Sequence, residues 1–226
     1  MRIRRSAFFL ALCLGLVIGG CQDSPHNPDR PAAKPPPPTR GVIVCLGDSL
    51  TAGYGLAETQ AYPAQLESLL QAAGHNYRVI NAGLSGETSS GALSRLEWAL
   101  KLAPDIVILE TGANDGLRGI DPALTQRNIE AIVARLQAAD ITVVLAGMQM
   151  VRNLGRPFTK AFADIYPAVA AKFDLIYMPF FLDGVAGRRD LNQSDGIHPT
   201  AEGYAIITTN LLPLVEAAIA RHEDRQ

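Results

Sequence analysis

Between residues 42 and 178 the chain alternates short, β-branched apolar runs with longer stretches whose apolar positions recur at helical spacing. The runs are Val42–Leu46, Arg78–Asn81, Ile106–Leu109, Ile141–Leu145 and Leu175–Met178. Most are continuously apolar rather than alternating, which predicts strands buried on both faces. Stretches at about 60–73, 88–102, 121–139, 158–172 and 200–221 carry the helical spacing and predict helices. Asp121-Pro122 reads as an N-cap followed by a first-turn proline, and Gly74 and Pro104 read as helix stops. Strands alternating with helices predict one α/β domain over residues 41–226, with a five-stranded parallel sheet covered on both sides. Right-handed crossovers bring the C-terminal ends of all the strands to one edge, where a ligand or substrate is expected.

The first forty residues follow another pattern. A basic start, Met1-Arg-Ile-Arg-Arg5, precedes an apolar run from Ala7 to Ile18 and then Gly19-Gly20. That order predicts a signal peptide over residues 1–20, with an apolar run too short to remain as a membrane span. Ile18-Gly-Gly-Cys21 resembles the lipobox of bacterial lipoproteins, so Cys21 is expected to be lipidated and to become the first mature residue. An ordinary signal peptide with an incidental cysteine is the alternative. Residues 22–40, with the run Pro35–Pro38, have no hydrophobic pattern and predict an extended spacer between anchor and domain. The protein is therefore expected to be exported, periplasmic and membrane-anchored.

Loss of the signal removes Arg2, Arg4 and Arg5, taking Lys+Arg from 20 to 17 against 22 acids, so the formal charge moves from −2 to −5. No basic tract remains, which argues against nucleic acid as a partner. Cys13 leaves with the signal and Cys21 is committed to lipid, so Cys45 has no internal partner for a disulfide and is expected to be a small buried hydrophobe.

Polar, glycine-bearing turns follow each predicted strand. They are Gly47-Asp48-Ser49, Asn81-Ala-Gly-Leu-Ser-Gly86-Glu87-Thr, Glu110-Thr-Gly-Ala-Asn114-Asp115, Gly147-Met-Gln149 and, past a longer loop, Asp195-Gly-Ile-His198. A serine hydroxyl needs an adjacent base to act as a nucleophile, and His198 is the best-placed imidazole for Ser49. Asp195, three residues earlier, is close enough to orient it. Acyl transfer also needs donors for the developing oxyanion, the loss of one costing about 3 kcal/mol of barrier. The Gly86 N–H, the Asn114 side-chain amide and the Ser49 N–H are the candidates. Each residue also has a plainer reading: Ser49 and Asp195 as helix caps, His198 as a structural histidine, Gly86 and Asn114 as turn formers. Glu87, Asp115 and Arg118 read as exposed charges near the rim, with no role assigned.

GDSLTAGYG, the SGET turn, GAND and DGIHP together resemble the four sequence blocks of the SGNH (GDSL-type) hydrolase family, over about Val42 to Ala217. YPAQLESLL, ANDGLRG and PFFLDGVA are similar to its bacterial thioesterase I, lysophospholipase and arylesterase group. The resemblance implies a flavodoxin-like three-layer α/β/α sandwich. It implies Ser49 as nucleophile, His198 as general base and acid, Asp195 as its partner, and Ser49, Gly86 and Asn114 as the oxyanion hole. No metal or organic cofactor is implied. One departure stands out: the group's Pro-Asn-Tyr-Gly type of loop after the fourth strand is Val151-Arg-Asn-Leu-Gly155 here, which bears on substrate preference through a lost aromatic and a gained cation, Arg152. The expected activity is cleavage of acyl esters or thioesters, lysophospholipids included, through an acyl-enzyme by a monomer. Two readings compete. One is a catalytically silent α/β module binding a lipid or saccharide; the other is a phosphate-binding flavodoxin relative, weakened by the absence of a P-loop lysine or G-x-G-x-x-G turn.

Overall fold

The computed structural model describes residues 39–150 and 154–226. The signal segment, Cys21 and the spacer up to Pro38 lie outside the described residues, as do Val151, Arg152 and Asn153. Strands β1 (Gly41–Gly47), β2 (Tyr77–Gly83), β3 (Ile106–Glu110), β4 (Thr142–Ala146) and β5 (Ile176–Met178) form one sheet in the order β2-β1-β3-β4-β5, every pair parallel. All five fall on the predicted runs. β3 and β4 are buried at every position, as continuous apolar runs require in a sheet covered on both faces.

The helices are α1 (Ser49–Ala52), α2 (Tyr62–Ala72), α3 (Ser89–Ser94), α4 (Leu96–Leu100), α5 (Ala113–Leu117), α6 (Pro122–Ala138), α7 (Arg156–Phe173) and α8 (Ala201–Glu223). The path leaves β1 outward to β2 and then returns across β3, β4 and β5, so right-handed crossovers place helices on opposite faces. α2 packs with α8, while α6 packs with both α3 and α7. The result is a three-layer α/β/α sandwich with the flavodoxin-like strand order. α8 buries Tyr204, Ile207, Leu211, Val215 and Ile219 along one stripe, the i, i+3, i+4 pattern of a core helix.

The single helix expected over 88–102 is two, broken at Arg95. The Arg95 guanidinium is drawn back to the ends of β1 and β2, donating to the carbonyls of Gly47 (3.2 Å) and Ala82 (2.7 Å) and pairing with Glu87 at 2.5 Å. Its backbone (φ −101°, ψ 9°) departs from the helix to allow this. α1 is anticipated only through the reading of Ser49 as a helix cap, and α5 is not anticipated, both being too brief to show a period.

Candidate active site

β1 ends at Gly47, where a Cβ would overlap the Thr51 hydroxyl and the backbone and carboxyl oxygens of Glu110. Only glycine lets β3 approach so closely at this turn. Asp48 then caps α1, its carboxylate accepting from the Leu50 N–H at 2.9 Å, and Ser49 is the first residue of that helix. Tyr204 on α8 donates its hydroxyl to the Leu50 carbonyl at 2.8 Å, tying the turn to the core.

The loop from β5 to α8 brings His198 onto Ser49. His198 Nε2 lies 2.9 Å from Ser49 Oγ, and His198 Nδ1 lies 2.7 Å from Asp195 Oδ2. Asp195 Oδ1 also accepts from the backbone N–H groups of Ile197 (2.9 Å) and His198 (3.0 Å). The His198 contact above all, then these N–H donors, hold the Asp195 carboxyl down from 3.8 to about 2. An ionised Asp195 fixes the tautomer: Nδ1–H donates to it, and Nε2 is left to accept the serine proton. Thr200, not Asp195, caps α8, its hydroxyl accepting from Gly203 at 3.2 Å. Gln193 braces the loop by donating to the carbonyls of Tyr54 (2.7 Å) and Pro199 (3.1 Å), and the Tyr54 ring sits 4.7 Å from the imidazole.

Gly86 occupies the turn after β2 with φ +81°, a left-handed backbone that favours glycine. Asn114, in α5, donates one amide proton to Asp48 Oδ2 at 3.1 Å, so its second amide proton is available to the cavity. Ser49, Gly86, Asn114 and His198 line one cavity of about 190 Å³. Through Leu50, Ala113, Leu117 and Ile197 this shares its wall with an apolar cavity of about 400 Å³ that also reaches Met148 and Phe180.

Two charges expected on the surface are buried. Asp115 is fully enclosed and accepts from the Ser89 N–H (2.7 Å), the Ser89 hydroxyl (2.5 Å) and the Thr125 hydroxyl (3.1 Å), joining α3, α5 and α6. Glu87 is covered through its Arg95 pair. Arg118 is exposed as expected but donates to the Gly86 carbonyl at 2.8 Å, bracing that turn. Asp48 and Glu110, both buried, are legible in the sequence only as members of the polar turns after the first and third strands. Cys45 is buried and unpaired, and burial pushes its thiol up to about 12. Among the described residues no group of three His, Cys, Asp or Glu side chains is arranged to hold a metal ion.

Residues 45–206 match the model of the GDSL-like lipase/acylhydrolase family. The chain is 39% identical over 176 residues to the esterase TesA of Pseudomonas aeruginosa, covering 77% of this chain and 88% of that protein. It is 38% identical over 179 residues to thioesterase 1/protease 1/lysophospholipase L1 of Escherichia coli, covering 77% and 85% respectively. Among solved structures it resembles the psychrotrophic esterase EstA of a Pseudoalteromonas species, inhibited by monoethylphosphonate, with a TM-score of 0.75 and 33% identity over 80% of this chain and 99% of that one.

Proposed function

The chain belongs to the GDSL-like lipase/acylhydrolase family, and from that premise we propose that it is an exported serine hydrolase of acyl esters and thioesters with Ser49 as nucleophile. The observation that carries this reading is the unbroken hydrogen-bonded series from Ser49 Oγ through the His198 ring to Asp195, opening on the small cavity.

In the acylation step Ser49 Oγ bonds to the acyl carbonyl carbon while its proton passes to His198 Nε2. The carbonyl oxygen becomes an oxyanion facing the Ser49 N–H, the Gly86 N–H and the Asn114 amide. Collapse breaks the bond to the leaving alkoxide or thiolate, which takes the proton from His198. Water then enters and its oxygen bonds to the acyl carbon as His198 accepts its proton; the bond from that carbon to Ser49 Oγ breaks, Ser49 takes the proton back from His198, and the acid departs. Asp195 stays ionised and stabilises the charged imidazole. The apolar cavity beside the site, walled by Leu50, Leu117, Met148 and Phe180, suits a hydrocarbon acyl chain. Lysophospholipids and related acyl lipids fit both that cavity and an enzyme held at a membrane through Cys21.

The test is covalent labelling of the full chain by a fluorophosphonate, the chemistry that inhibits EstA. Labelling of the wild type and its loss in Ser49→Ala are expected. A folded wild-type protein that takes no label would favour the silent binding module instead.

A further inference from the structure

Glu110 ends β3 with no exposed surface. Its Oε2 accepts from the Thr51 hydroxyl (2.9 Å) and the Asp48 N–H (3.3 Å), while its Oε1 meets no donor among the described residues. A carboxylate removed from water is held by a cation or by donors to both oxygens; otherwise it takes up a proton. Among the described residues the groups around it supply no cation. Tyr62 of α2, Tyr166 of α7 and Tyr204 of α8 lie within its electrostatic reach, each a phenol that burial keeps neutral, and Asp115 lies within reach of Tyr166.

Its charged neighbour is another acid. Asp48 is buried, its backbone N–H sits 3.3 Å from Glu110 Oε2, and its carboxyl interacts directly with the Glu110 carboxyl. Two carboxylates in one dry pocket cannot both ionise without a large cost. Asp48 has the better claim to the negative charge. Its two oxygens accept from the Leu50 N–H and the Asn114 amide, and a charged His198 would favour it further.

We propose that Glu110 is a positioning residue that stays protonated through neutral pH and donates that proton to Asp48, so that the pair carries one negative charge centred on Asp48. The consequence reaches the chemistry through one side chain. Asp48 holds the first turn beneath Ser49 and also turns the Asn114 amide, so the Glu110 proton fixes nucleophile and oxyanion donor in a single register. Burial first, then the Asp48 charge, raises the Glu110 carboxyl well above the ordinary range, in keeping with this assignment.

The link to catalysis rests on the serine-hydrolase reading, but the protonation state can be tested without it. In infrared spectra of the full chain at neutral pH, the wild type should show a protonated-carboxyl C=O band that Glu110→Gln lacks. A glutamine can donate to Asp48 and accept from Thr51 just as the acid does, so Glu110→Gln should retain kcat within about threefold. Glu110→Ala should lower kcat by about tenfold to a hundredfold with little change in KM. An acid raised in the folded state stabilises below its unfolded value of 4.5 and loses that contribution as pH rises. The Tm of Glu110→Gln should therefore gain on the wild type as pH rises from about 5 to about 9. Absence of the band together with a Tm difference flat in pH would overturn the assignment, whatever the activity. A folded Glu110→Gln as impaired as Glu110→Ala would overturn the positioning role. If Glu110→Ala does not fold, Glu110→Gln against wild type decides.

Discussion

Asn114 brings one amide to the cavity, and the direction of that amide is set by Asp48, which binds one of its two protons at 3.1 Å. In the proposed mechanism the remaining proton faces charge that develops only in the transition state. Asn114→Ala should therefore cut kcat by about 10² to 10³ while leaving KM nearly unchanged, read from steady-state kinetics on a p-nitrophenyl ester. Asp195 allows a prediction with a definite sign. Its carboxyl is held at about 2 in the fold against 3.8 unfolded, so its contribution to stability is present above 3.8 and lost as pH falls toward 2. Between about pH 4 and pH 2 the wild type should lose Tm faster than Asp195→Asn, and parallel slopes would contradict the lowered value. The five residues read from the sequence as a site are chemically distinctive types placed after strands, Ser49, Gly86 and Asn114 within a few residues and Asp195 and His198 past a longer loop, and topology alone predicts where strand ends meet. Asp48, Glu110 and Asp115 carry no such mark. Each looks like a loop charge within its own ten residues, and its burial is made by donors elsewhere in the chain: Asn114 for Asp48, Thr51 for Glu110, Ser89 for Asp115.

The strands were legible as elements because burial on both faces writes itself into the chain as a continuous apolar run. α2, α6 and α8 were legible from their stripes, and Asp121 caps α6 as expected, accepting from the Ala123 N–H at 3.0 Å. The break at Arg95 was not legible, because it arises from carbonyls of β1 and β2 that a helical wheel cannot show. α1 and α5 are single turns that carry Ser49 and Asn114 and bury no stripe of their own. What holds α5 in place is the buried Asp115, which collects three donors from α3 and α6. Asp115→Ala leaves all three without an acceptor in a dry site and should cost about 3 kcal/mol. For a domain of this size calorimetry should show a fall in Tm of about 6–12 °C. Asp115→Asn keeps one acceptor oxygen and should fall between the two.

At the scale of the whole molecule the decisive relation is between the start of β1 and the site. Parallel strands put Ser49 at one edge of the sheet and Gly41, where β1 begins, at the edge away from the cavity. A folded unit of residues 41–226 is roughly 40 Å across, by the usual scaling of compact domains. Covalent geometry lets the 19 residues from Gln22 to Arg40 reach at most about 65 Å. A lipid on Cys21 would thus allow the cavity to turn toward the bilayer that holds it, without a hinge inside the domain. Anchoring would then act on lipid substrates by raising their local concentration and not by altering the chemistry. Cys21→Ser should move the protein from the membrane to the soluble fraction and leave kcat/KM on a soluble p-nitrophenyl ester unchanged. Its hydrolysis of a lysophospholipid embedded in the same membranes should fall by at least about tenfold. Retention in the membrane fraction would remove Cys21 as the anchor, and an equal loss on both substrates would mean that the substitution had damaged the domain rather than its location.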